Sequence, residues 1–138
     1  MEAHAYDKPL PEPDIDSKPF WDGLKNHQLM LQQCGACGRI RHYPRPVCDS
    51  CYSMEVNWVA ASGEGTLHSW TITHHAFLPG FKKDLPLLLA IVDLAEGVRM
   101  NCQLKGVDHA DLKIGLPVAI AYEAATEDVT LPVFVGAQ

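Results

Sequence analysis

Two closely spaced cysteine pairs constrain this chain more than any other feature. Cys34-Gly-Ala-Cys37 and Cys48-Asp-Ser-Cys51 are separated by ten residues. A two-residue spacer lets one tight turn present both sulfurs to a single ion, and four thiolates close a tetrahedral shell around zinc. Gly35 and Gly38 relieve crowding where backbone amides approach sulfur, and Tyr43-Pro-Arg-Pro46 stiffens the link between the knuckles. Four cysteines leave no open coordination position, so the ion holds shape and does not activate water. Iron of the redox kind accepts the same ligands, but the short link and the lack of glycine after Cys51 favour zinc. His42 is an alternative ligand in place of one cysteine, but it reads more simply as a polar ribbon residue.

Paired thiols act as ligands where the compartment keeps them reduced. The opening residues carry Glu2, Asp7, Glu12, Asp14 and Asp16 among prolines, with no apolar stretch of the export-signal kind. Leu85–Leu94, the most apolar segment, is about half of the ~20 residues that a membrane-spanning helix requires. A cytoplasmic protein without a membrane span is therefore expected. Eleven basic against seventeen acidic residues give a net charge of −6, which opposes binding to a bare nucleic-acid backbone.

A length of 138 residues suits one domain with an appendage. Residues 1–16 read as a mobile tail, 17–33 as a helical segment and lead-in strand, 34–55 as the zinc ribbon, and 56–138 as the barrel domain. Ser17 is placed to cap a short helix carrying Phe20, Trp21, Leu24 and His27. Beyond Trp58 the pattern is β. Gly63 and Gly65 mark a turn or bulge before a β-rich run to Phe77, and Leu85–Leu94 suits a strand buried on both faces. Val98, Met100, Cys102 and Leu104 alternate with polar residues after an expected hairpin turn at Glu96-Gly97. Val118, Ile120 and Tyr122 form another strand, and Val129–Val135 a last one, where Pro132 suits an edge position or the strand's end. A short helical turn is expected between Val107 and Gly115. The fold class is mainly β, and five strands with that insert suggest a small Greek-key barrel of the OB type.

Candidate chemistry outside the cysteine pairs is thin. Cys102 reads as a buried small hydrophobe, since no helix start or glycine elbow lowers its pKa. His74 and His75 are candidates for a second metal or acid–base site, but adjacent strand residues point to opposite faces, so they line a groove at best. Asp93, Glu96 and Glu123 are candidate general acids, with Asp93 more simply an acceptor of turn hydrogen bonds near Gly97. Phe20 and Trp21 either wall a ligand channel or anchor the helix. Phosphate-cradling loops, dinucleotide fingerprints and nucleophile elbows are absent from the sequence, so catalysis by this chain alone is not supported.

The order of motifs carries a resemblance. Phe20-Trp21, the two cysteine pairs, Tyr43-Pro-Arg-Pro46, Ser62-Gly-Glu-Gly65 and Pro79-Gly-Phe81 are followed by Val92-Asp-Leu94, Glu96-Gly97, Pro117-Val118 and Leu131-Pro-Val-Phe134. From about residue 17 to 135 this resembles the zinc-ribbon OB-fold proteins known as domain of unknown function thirty-five. The resemblance implies a helical segment, a rubredoxin-like zinc ribbon and a C-terminal OB-fold barrel, with Cys34, Cys37, Cys48 and Cys51 as zinc ligands. It further implies an accessory subunit that bridges thiolase-like, aldolase or hydratase enzymes in lipid, steroid or isoprenoid-precursor metabolism, with acyl-CoA as shared ligand. Tyr52 departs from the family's usual glycine. Arg39, Arg41 and Arg45 cluster on the ribbon, either as a solvated face or as contacts to phosphates or to a partner. A nucleic-acid-binding ribbon and barrel is the competing reading, which the net charge opposes.

Overall fold

The computed structural model describes residues 6–137. Its first element is the short helix α1 (Lys18–Lys25), with Phe20 and Leu24 buried and Trp21 packed against the same core. Ser17 stands at the N-cap but does not cap. Its hydroxyl accepts from the Asp14 N–H at 3.0 Å, while its own N–H donates to the Asp14 carboxylate at 2.8 Å. Pro19 lies in the first turn, where a missing N–H costs little. The helix closes with the Gln28 N–H donating to the Gly23 carbonyl and His27 in the left-handed region at φ 57°. The His27 ring stacks on Tyr122 of the barrel at 4.7 Å.

Three strands, β1 (Met30–Cys34), β2 (Ile40–Arg41) and β3 (Val56–Ala60), form an antiparallel sheet in the order β2-β1-β3. Cys34 pairs with Val56 and Met30 with Ala60, so β3 belongs to the ribbon sheet. The boundary expected before residue 56 falls at the start of β3, and pairing within the barrel begins at Glu64. Trp58 and Val59 lie on the strand that leads from the ribbon sheet into the barrel.

The barrel consists of β4 (Glu64–Thr73), β5 (Leu87–Leu94), β6 (Arg99–Lys105), β7 (Pro117–Ala124) and β8 (Thr130–Gly136), closed in the order β4-β5-β6-β8-β7. Closure comes from antiparallel β4–β7 pairs such as Gly65↔Val118 and from the parallel pair Leu104↔Phe134 between β6 and β8. This is the OB arrangement. A side chain at Gly63 would strike Ile120, and one at Gly65 would lie 2.7 Å from the Asp93 carbonyl, so both glycines permit close strand approach. The register shift falls between Leu67 and Ser69, not at the glycines. β5 is not buried on both faces: Leu88, Ala90, Val92 and Leu94 point inward while Leu89 is 42% exposed. A barrel wall has one inner face, and an apolar outer face disguises that alternation. Pro132 lies inside β8, where the strand pairs with β7 alone, so its missing N–H breaks no ladder to β6. A short 3-10 turn, His109–Asp111, joins β6 to β7 as expected.

One core runs through both parts. Phe20, Leu24, Leu29 and Leu31 cluster with Leu67, Val92, Met100, Val118 and Phe134. Part of the tail is also held. Lys8 pairs with Asp84 and lies 5.4 Å from the Phe81 ring centroid, against a 3-10 turn spanning Pro79–Asp84. Residues 1–5 of the expected mobile tail lie outside the described residues. Among the described residues no helix is long and apolar enough to cross a membrane.

Candidate metal centre and the adjoining cleft

The two knuckles are built alike. β1 delivers Cys34, whose carbonyl accepts from the Gly38 N–H at 3.0 Å; the Cys48 carbonyl accepts from the Tyr52 N–H at the same distance. The closing residue of each turn is left-handed, Gly38 at φ 78° and Tyr52 at φ 64°. Glycine suits that position without strain, and tyrosine does not. Gly35 is needed for another reason, because a side chain there would approach the Glu55 Cβ to 2.9 Å.

All four ligand sulfurs lie within 4.8 Å of one another, with Cys34–Cys51 at 3.5 Å and Cys37–Cys48 at 3.7 Å. A tetrahedral ion with bonds of about 2.3 Å to sulfur has edges of about 3.8 Å, so the donor set fits zinc. Backbone amides point at the sulfurs: Cys37 and Ala36 donate to Cys34 Sγ at 3.5 and 3.4 Å, and Ser50 to Cys48 Sγ at 3.4 Å. These amides hold the Cys34 thiol at about 6 and bring Cys48 below its ordinary value, the Cys51 amide acting first on the latter. For Cys51 the Ser53 amide pulls downward, but the neighbouring sulfurs, Cys34 foremost, prevail and push it up to about 11. Four thiolates this close require a cation among them. The sulfurs would hold the ion and keep the knuckles in register, and the ion would supply charge compensation with no open position for substrate.

The ribbon arginines occupy different environments. Arg39 and Arg45 are half-exposed and face Asp49 at 3.4 and 3.8 Å. Arg41 is only 3% exposed. Its Nε donates to Gln32 Oε1 at 2.8 Å and its Nη2 to the Arg45 carbonyl at 3.1 Å, while Nη1 has no partner among the described residues. Gln32 Oε1 also accepts from the Arg45 N–H at 2.9 Å, which makes it the hub of the link between knuckles. Sequence reasoning missed Gln32; of two adjacent strand glutamines, nothing local marks which one faces inward. His42 is a polar ribbon residue that is buried, packed against Phe20 with ring centroids 5.2 Å apart. Burial, helped by nearby Arg45, pushes it down to about 4, so it is neutral.

A cleft of about 560 Å³ separates ribbon from barrel, and Arg39, Arg41, His42 and Arg45 face Asp93 and Arg99 across it. The Tyr43 hydroxyl bridges the two sides, accepting from the Asn101 N–H at 2.8 Å. Asp93 takes no turn hydrogen bonds. It accepts from Arg99 Nε at 2.7 Å and faces His68 Nδ1 at 3.2 Å, and Arg99 chiefly holds its carboxyl below the usual range. Glu96 caps the Ser62 N–H and Glu123 pairs with Lys105, so the three acids are scattered. Cys102 donates to the Pro132 carbonyl at 2.9 Å, and burial pushes it up to about 12. Phe20 anchors α1 in the core, as the simpler reading has it. His75 packs edge-on against Phe77, which is 90% exposed.

Family comparison supplies context for this geometry. Residues 21–56 match the model of the ChsH2 rubredoxin-like zinc ribbon domain, and residues 58–123 that of the ChsH2 C-terminal OB-fold domain. The four clustered cysteines and the ribbon match together identify a structural zinc. A chain of the solved Ltp2-ChsH2(DUF35) aldolase superposes with a TM-score of 0.85 at 34% identity, covering 94% of this chain and 100% of that one. The 3-oxo-4,17-pregnadiene-20-carboxyl-CoA hydratase alpha subunit of Mycobacterium tuberculosis is 40% identical over 81% of this chain. A DUF35 domain-containing scaffold protein of Pyrococcus furiosus is 34% identical, with 72% of each chain covered. The chain spans 35% of the length of the Mycobacterium tuberculosis relative and 39% of one from Thermomonospora curvata.

Proposed function

The chain belongs to the ChsH2 zinc-ribbon and OB-fold family, the DUF35 proteins, and from that premise we propose that it is a non-catalytic accessory subunit. It joins an aldolase, hydratase or thiolase-like enzyme of lipid or steroid metabolism in the cytoplasm and completes the surface that holds an acyl-CoA. One observation carries this reading: 94% of this chain superposes on the full length of a chain of the Ltp2-ChsH2(DUF35) aldolase. Residues 34–55 form the zinc ribbon and 56–138 the barrel domain in that role, a division that the ribbon match over 21–56 and the OB-fold match over 58–123 support. Cys34, Cys37, Cys48 and Cys51 are the zinc ligands, and Arg39, Arg41 and Arg45 are contacts for phosphate or partner.

Mild affinity purification from the native cell, followed by identification of what comes with the chain, tests the proposal. Recovery in fixed ratio of an aldolase, hydratase or thiolase-fold enzyme supports it. Recovery of the chain alone, or with nucleic acid, refutes it.

A further inference from the structure

We infer that the cleft between ribbon and barrel binds a phosphate group carried by a small molecule, with Arg41 and Arg45 on one wall and Arg99 on the other. This deepens the accessory-subunit reading but rests on its own observations. The first is an uncompensated buried charge. Arg41 is 3% exposed and, among the described residues, has no carboxylate within 4.0 Å and no acceptor for Nη1. A buried guanidinium without a counterion is costly, and an entering anion relieves that cost.

The second observation is the charge of the cleft. Arg39, Arg41, Arg45 and Arg99 face only Asp49 and Asp93, which leaves two positive charges on a chain of net −6. His42 adds none, being neutral, and its buried Nε2 is a second atom on the same wall without a partner among the described residues. Arg39, Arg45 and Arg99 have side chains 54%, 46% and 62% exposed, so their guanidinium groups reach a ligand that Arg41 supports from behind. A carboxylate would neutralise half of the excess. A phosphate dianion neutralises all of it and accepts the forked donors of several arginines at once. The volume suits the head group of a nucleotide.

Arg99 lies 54 residues from Arg45 in sequence, on a strand whose alternation makes it a solvent-facing position. The barrel carries it to the ribbon. Arg41 is unsuitable as the sole test, since its removal strips Gln32 of a donor inside the ribbon.

The experiment titrates the full-length, zinc-loaded chain by calorimetry with inorganic pyrophosphate and with adenosine 3′,5′-bisphosphate. Wild type is compared with Arg99→Gln and Arg45→Gln, each checked for an unchanged melting temperature. Saturable binding is expected, weakened about tenfold by either substitution and reduced by added salt. Equal affinity for the two anions supports a site for phosphate alone; tighter binding of the bisphosphate supports a nucleotide site. No saturable binding, or binding unchanged in both variants, overturns the inference. Loss of a co-purifying enzyme from Arg99→Gln without anion binding likewise overturns it, making the cleft a protein-docking surface. Because the titration uses the chain alone, failure to recover a partner enzyme leaves its outcome readable.

Discussion

Tyr52 occupies the turn position that Gly38 fills in the other knuckle, and exchanging it for glycine is a sharp test of how the ribbon is strained. Both residues donate to the carbonyl of the first cysteine of their pair and both are left-handed, at φ 64° and 78°. For a residue with a Cβ that conformation costs about 1–2 kcal/mol. Against it stands the extra freedom of glycine in the unfolded chain, about 0.5–1 kcal/mol. The tyrosine is 78% exposed, so little burial is lost. Tyr52→Gly should therefore stabilise the zinc-loaded protein by about 0.5–1 kcal/mol, a rise of about 1–4 °C in Tm at this chain length. Tyr52→Ala keeps the penalty and should melt within about 1 °C of wild type. Thermal unfolding followed by circular dichroism at fixed free zinc measures both. A Tyr52→Gly variant no more stable than Tyr52→Ala would show that the left-handed turn is not a source of strain.

Cys48→Ser should lower bound zinc below one ion per chain and strip hydrogen-exchange protection from β1 and β2, since structural zinc contributes on the order of 10 kcal/mol to such ribbons; metal analysis and exchange mass spectrometry check this. Phe134→Ala, in the fully buried residue that closes β8 onto β6, should cost about 3–5 kcal/mol in urea unfolding. His42 has its pKa depressed from 6.5 to about 4 by burial. The folded state then binds fewer protons than the unfolded chain, so stability falls as pH drops from about 6.5 towards about 4, by up to about 3 kcal/mol. Denaturation midpoints of His42→Gln across that range should show a shallower loss than wild type, and parallel curves would refute the assignment.

Local signals in the sequence found what local chemistry decides. Paired cysteines at two-residue spacing imply a shared ion because each turn brings its own sulfurs together, and the structure places all four within 4.8 Å. Alternation in Val98–Leu104 and the glycine at 97, left-handed at φ 88°, likewise needed no tertiary information. What escaped notice depends on distant neighbours. That β3 pairs with β1 in the ribbon sheet is known only from their register. Arg41 and Arg45 look equivalent, yet one is buried behind Gln32 while the other faces solvent. Lys8 sits in a proline-rich acidic tail, and its ion pair with Asp84 joins positions 76 residues apart. No periodicity signals such a contact.

These links give the metal a consequence beyond ribbon stability. The Cys34 N–H donates to the Arg39 carbonyl at 2.9 Å, so the first knuckle fixes where β2 begins. Gln32, two residues before that cysteine on β1, then holds both the Arg41 side chain and the Arg45 backbone through one oxygen. On the other side, Tyr43 takes its hydrogen bond from Asn101, two residues from Arg99 on β6. The chain of contacts from sulfur to barrel thus runs through Arg39, Arg41 and Arg45 and ends two residues from Arg99. β2 has only two residues and cannot hold that spacing by its own ladder. An ion with no open coordination position does so instead, and the wall it rigidifies is the one that carries an unpaired charge.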